Sequence, residues 1–198
     1  IFIKIQKSYE FINYILLGIV LGLAFLSKYA AIYFFPCFLV YIYFDKSFRQ
    51  SIKKNFFRWL IFAVIFFLVI SPNLIWNINN GWLTIGHTAN NANLANLDIN
   101  FLRGVFFLLS QIVMIGPLLF VGFLLNYKKF RFDSINIFLL SFSLPIILIV
   151  LLESVLVRAN ANWAALGLIS LYILFFRHVF HQNKMIAGLD FILNFIFG

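Results

Sequence analysis

Six long apolar runs separated by short polar connectors dominate this sequence and restrict what it can fold into. The runs cover residues 11–27, 29–44, 59–76, 101–125, 135–157 and 163–176. An apolar stretch of such length must satisfy its own backbone hydrogen bonds if it lies in lipid, and an α-helix does so within one segment. Composition points the same way. The chain is 64% hydrophobic and 11% charged over 198 residues. A soluble domain is nearer ~45–50% apolar and ~25% charged. The expected fold class is therefore an all-α integral membrane protein, a polytopic bundle of about six transmembrane helices, read as a single transmembrane domain over 1–198.

The charges set the expected topology. The formal net charge is +9, which in a soluble protein would raise nucleic-acid binding. Here the basic residues fall in short connectors at 45–58, 126–134 and 177–184, and at Lys4 and Lys7. Basic connectors mark the cytoplasmic side of a membrane protein, so no nucleic-acid partner is expected and membrane lipids are. Keeping all four basic segments on one side requires two crossings before residue 45, with a turn at Lys28. Each of those runs is short, about 25 Å at 1.5 Å per residue. Gly18 and Gly22 form a small-xxx-small pair that permits close helix contact. Within 45–58, Phe48, Ile52 and Phe56 recur every fourth residue, as on a short interfacial helix.

The same parity places residues 77–100 outside the cytoplasm. Ser71–Asn96 is the longest polar interval, with Trp76, Trp82, His87 and several asparagines but no Lys or Arg. Its asparagines carry little weight alone, because the chain has 28 Phe and a biased residue usage throughout. Pro72 is expected to kink or end the third run, with Asn73 and Asn77 supplying donors to the freed carbonyls. Pro117 falls inside the fourth run, and the fifth is expected to bend at Pro145. Lys28, Arg103, Glu153 and Arg158 all fall at outer ends of runs. Cations rimming such a face suit a phosphate-bearing headgroup, and the indoles of Trp76, Trp82 and Trp163 suit a sugar ring. Plainer roles fit as well: Lys28 and Arg103 as snorkelling anchors, and the tryptophans as an aromatic belt. His87 has no second His, Cys or carboxylate at ligand spacing, so no metal and no cofactor are expected. Ser71, His87 and Asp98 match a triad by type only, without a nucleophile-elbow pattern. Cys37 is the single cysteine and has no internal partner. The chain opens on Ile1 without an initiator Met and ends in an apolar run, so it is expected to be a piece of a longer protein.

Four motifs occur in order: Leu23-Ala24-Phe25-Leu26-Ser27-Lys28-Tyr29; Ser71-Pro72-Asn73-Leu74-Ile75-Trp76-Asn77 with Gly81-Trp82 and His87-Thr88; Gly116-Pro117; and Arg158-Ala159-Asn160-Ala161-Asn162-Trp163-Ala164-Ala165. Together they resemble the bacterial branch of the protein O-mannosyltransferase family, the group that includes the aminoarabinose lipid A transferases. The resemblance implies a fragment of a larger type C glycosyltransferase fold. Such an enzyme takes a sugar from a polyprenyl-phosphate donor at the outer, periplasmic face of the bacterial inner membrane and passes it to a lipid, glycan or protein acceptor. It also implies a catalytic acidic base in a first external loop upstream of Ile1, so no catalytic residue is expected in this fragment. Within that reading Lys28 and Arg103 hold the donor phosphate, or Arg158 in place of one of them. Asn73, Trp76, Asn77, His87 and Trp163 shape the sugar and acceptor cavity, and Tyr29 and Asn162 belong to the same substrate-binding motifs. One departure is visible: after Trp163 the family shows a Pro, where this chain has Ala164-Ala165-Leu166-Gly167. The competing readings are a transporter or flippase for a lipid or lipid-linked sugar, and a non-catalytic membrane scaffold.

Overall fold

The computed structural model describes residues 1–91, 97–157 and 159–197. All regular structure among them is helical. The chain divides into two compact units, Ile1–Asn91 and Ala92–Gly198. Among the described residues, three helices are long and apolar enough to cross a membrane: Phe56–Asn79, Ser134–Leu156 and Ala161–Gln182. Counting each of two bent pairs as one span raises the number to five. Residues 11–27, expected as a first crossing, form an apolar helix of 17 residues that falls just short of the same length.

The first unit contains α1 (Phe2–Ser8), α2 (Phe11–Ser27), a 3-10 turn (Tyr29–Tyr33), α3 (Phe34–Phe44), α4 (Lys46–Lys54), α5 (Phe56–Asn79) and α6 (Leu83–Asn91). Helix α5 is its spine. Tyr14 meets Trp59, Gly18 meets Phe62, Gly22 meets Val69 and Tyr29 meets Asn73, so α2 runs parallel to α5. The close approach depends on the glycines. A Cβ at Gly18 would lie 2.9 Å from Phe62 O, and one at Gly22 would lie 2.7 Å from Val69 Cβ. Helix α3 runs the other way, pairing Phe35 with Phe66 and Phe38 with Trp59. The chain therefore reverses between α2 and α3, where Lys28 is extended (φ −154°, ψ 123°). Helix α4 turns 107° away from the segment before it. Asp45 caps it, accepting the Phe48 N–H at 2.8 Å, as expected of Asp at a helix N-terminus.

Pro72 neither ends nor breaks α5, which continues to Asn79. A proline at 72 removes the N–H that would reach Leu68 O. Ser71 Oγ donates to that carbonyl at 2.8 Å instead, so the vacated acceptor is satisfied from one residue away. The expected external loop 77–100 is in part helical, since α6 occupies Leu83–Asn91.

The second unit contains α7 (Phe101–Ile115), α8 (Pro117–Asn126), α9 (Ser134–Ser141), α10 (Leu144–Leu156), α11 (Ala165–Gln182) and α12 (Lys184–Phe197). The run 101–125 is not one straight crossing. It bends by 94° between α7 and α8. Gly116 sits at φ +109°, a region that excludes most side chains, and Pro117 then starts α8 at a position where its missing N–H costs nothing. Helices α9 and α10 together form the span Ser134–Leu156. The chain breaks at Phe142 and Ser143, just before Pro145. Helix α11 packs antiparallel to that span: Arg177 meets Asp133 near one end, and Gly167 abuts Ser143 and Ile146 further along. Arg177, His178 and His181 lie on α11 itself rather than in a connector. Helix α12 packs on α8 and α11 through Ala187 and Ile186, against Leu119 and Val179.

Candidate functional site

The polar end of the first unit is built where α2, α5 and α6 finish or begin. Thr84 Oγ donates to Asn77 Oδ1 at 2.7 Å, and the Tyr29 hydroxyl lies 2.7 Å from Thr84 Oγ. Because the Thr84 proton is directed to Asn77, Tyr29 is the donor in that contact, and its oxygen also lies 3.2 Å from Asn73 Oδ1. Asn77 Nδ2 donates to Asn73 O at 2.9 Å. Four side chains from three elements thus close one network. Asn77 is fully buried, and both ends of its amide are used. Its part is to fix the turn.

The turn itself is tight. Gly81 and Trp82 both have positive φ, 61° and 59°. A non-glycine residue there costs roughly 1–2 kcal/mol. It is held by the Trp82 N–H, which donates to Asn77 O at 2.7 Å. The result is that Trp76 and Trp82 are both about half exposed. His87 on α6 and Lys28 are exposed beside this end. Lys28 follows the C-terminus of α2, where a cation is favoured by the helix dipole. The two acidic residues of the first unit, Glu10 and Asp45, lie toward the other end of α5. Lys28, the two indoles and the imidazole present a cation and three exposed rings at this end, and neither carboxylate of the first unit lies among them.

In the second unit Arg103 is tied down. Its guanidinium pairs with Asp98 at 2.8 Å and also donates to the carbonyls of Asp98 and Val157. The backbone N–H groups of Asp98 and Asn100 donate to Leu156 O and Val155 O, at 2.9 and 2.8 Å. Ser154 Oγ donates to Arg103 O at 3.1 Å. The start of α7 thus satisfies the carbonyls that the end of α10 leaves unpaired. Asn162 is exposed and Trp163 half-buried on a 3-10 turn, Ala161–Ala164. Gln111 Nε2 holds that turn by donating to Ala161 O at 3.1 Å. Glu153 is half-buried on α10. Arg158 lies outside the described residues.

The sequence profile of the dolichyl-phosphate-mannose-protein mannosyltransferase family matches residues 1–76. The lipid A galacturonosyltransferase RgtD of Rhizobium johnstonii is 30% identical over 154 residues, 76% of this chain. Both matches support a mannosyltransferase-like family for this chain. It spans about a third of the length of the curated relative, 32%. No solved structure matches it.

The family match takes in Lys28, Tyr29, Asn73 and Trp76, and stops at the last of these. Asn77, Thr84 and His87 follow it, yet Asn77 and Thr84 are bonded to residues inside it. Thr84 was not visible as a site residue in the sequence. Its partners lie 7 and 55 positions away, and a threonine in a polar stretch gives no local signal.

Proposed function

We propose that this chain is part of a membrane glycosyltransferase. It would transfer a sugar from a polyprenyl-phosphate-linked donor to a lipid, glycan or protein acceptor at the outer face of the bacterial inner membrane. The observation that carries this reading is the Tyr29–Thr84–Asn77–Asn73 network, which seats Lys28, Trp76 and Trp82 at one end of α5 in and beside the stretch matched by the family. Lys28 is the cation we place at the donor phosphate. Arg103, bound to Asp98 and two carbonyls, is left as a tie, and Arg158 is the second candidate cation. Trp76 and Trp82 would take the apolar face of the sugar, with His87 beside them. Asn162 and Trp163 are the substrate-contact candidates of the second unit. A lipid acceptor is favoured by the name of the galacturonosyltransferase relative. Proton removal from the acceptor hydroxyl needs a base within hydrogen-bond reach, and we assign that base to no residue of this chain.

The test uses the protein expressed from its complete reading frame, in detergent, with a labelled polyprenyl-phosphate sugar and a lipid A acceptor. Transfer that falls in Lys28→Ala and Arg158→Ala supports the phosphate assignments. Unchanged turnover in both removes them, and no transfer from any polyprenyl-phosphate sugar to any acceptor class removes the enzyme reading.

One observation favours a second reading, movement of a lipid-linked sugar across the membrane: the 94° break between α7 and α8, since transporters build sites at broken helices. Measured flux of a labelled lipid-linked sugar in proteoliposomes, without transfer, would select it.

A further inference from the structure

We propose that the end of the first unit formed by α1 and α4 is a binding surface for anionic phospholipid headgroups. The first observation is how the two helices come together. Phe2 of α1 lies against Phe38, Tyr41, Phe48 and Trp59, with ring centroids 5.9, 6.2, 5.5 and 6.4 Å away. Ile5 is buried behind it. This aromatic core docks α1 beside α4 at the end of α5 opposite Tyr29 and Asn73.

The second observation is charge. Lys4 and Lys7 on α1, and Lys46, Lys53 and Lys54 on α4, are all exposed. None of these five ammonium groups makes a hydrogen bond or ion pair among the described residues. The other charged groups nearby are engaged. Asp45 is buried, capping α4 and accepting from the Tyr41 hydroxyl. Glu10 accepts from Asn13 Nδ2 at 3.1 Å. Arg49 donates to Tyr43 O and Arg58 to Tyr9 O. Five ammonium groups therefore share this end of the unit with a single exposed carboxylate, Glu10, which is bonded to Asn13 and forms an ion pair with none of them among the described residues.

The third observation fixes the kind of partner. Tyr43, Phe44, Phe56 and Phe57 flank α4 and are all well exposed. Aromatic side chains collect at the level of lipid headgroups, and α4 turns across rather than along α3. A cationic helix lying at headgroup depth meets lipid phosphate first, and uncompensated lysines favour lipids with net negative charge.

The experiment places the full-length protein in nanodiscs of phosphatidylcholine, with or without phosphatidylglycerol. Retained phosphatidylglycerol is counted by native mass spectrometry. The wild-type protein should retain it. The variant Lys46→Gln/Lys53→Gln/Lys54→Gln should weaken retention on the order of a hundredfold, and Lys4→Gln/Lys7→Gln less. Raising ionic strength should release it from the wild-type protein, because exposed charges are screened. The unfolding temperature in pure phosphatidylcholine should not move, which reports that the variants fold. Equal retention with all five lysines replaced, or wild-type retention insensitive to salt, overturns the proposal.

Discussion

Asp190 Oδ1 accepts the Leu119 N–H at 3.1 Å, from a helix 71 residues further along the chain. The carboxylate is almost fully buried and faces the first turn of α8, where backbone N–H groups lack partners. It caps α8 from α12, and so clamps the bend at Gly116. A side chain at 116 would overlap the carboxylate. Asp190→Ala should therefore destabilise the protein by about 1–2 kcal/mol, the usual worth of a helix cap. Asp190→Asn, which keeps an acceptor oxygen, should cost less. Gly116→Ala should cost on the order of 1–3 kcal/mol through the strained backbone as well as the overlap. Unfolding temperatures in detergent check the order.

Thr84 bridges Tyr29 and Asn77. Thr84→Val keeps the shape and removes the hydroxyl, leaving the Asn77 amide oxygen short of a donor in a buried setting. An unsatisfied buried group costs roughly 1–3 kcal/mol. Thr84→Ser should restore most of the loss. If the network seats the ligand-facing turn, transfer activity should fall in Thr84→Val and recover in Thr84→Ser, and an activity assay beside a thermal melt reads both.

Lys28 is exposed and follows the C-terminus of α2, so its removal should leave the fold largely intact. Lys28→Gln should raise KM for a polyprenyl-phosphate donor on the order of tenfold, the scale of a charge-assisted hydrogen bond, with little change in unfolding temperature. Lys28→Arg should retain part of the affinity. Steady-state kinetics against donor concentration make the comparison.

Asp133 and Arg177 form an ion pair at 2.9 Å at the α9 end of the second unit. The Arg177 guanidinium holds the Asp133 carboxyl below its usual range. The folded value is thus depressed below the unfolded ~3.9. The pair contributes stability that is present above about pH 4 and lost as pH falls through the folded value. The contribution is small, because both side chains are partly exposed. In Asp133→Asn the unfolding temperature should be slightly lower at neutral pH and should fall less between about pH 5 and 2.

Helix positions were legible because apolar runs in a membrane have one backbone solution. The Lys28 reversal and the Gly18–Gly22 contact were legible too, from charge parity and from spacing. Prolines were misleading in both directions. Pro72 reads as a stop, but the hydroxyl of Ser71 replaces the missing donor. Pro117 falls inside a single apolar run, and the positive φ of Gly116 that turns the chain there leaves no trace in hydropathy. Arg103 reads as an open cation at a helix end, whereas Asp98, five residues earlier, and the end of α10, some fifty residues later, take up its donors. Asp190 lies in what reads as an apolar tail, and its role depends on α8, which only the bent chain brings beside it.

The Lys28–Trp76–His87 end of the first unit and the basic α4 end are expected to face opposite compartments. They sit at opposite ends of α5, whose 24 residues span about 36 Å. Single cysteines at His87→Cys and Gln50→Cys, in a Cys37→Ala background, can be probed in intact cells with a membrane-impermeant thiol reagent. Labelling is expected at position 87 from outside, and at position 50 only after the membrane is opened. Labelling of both positions from the same side would contradict that arrangement.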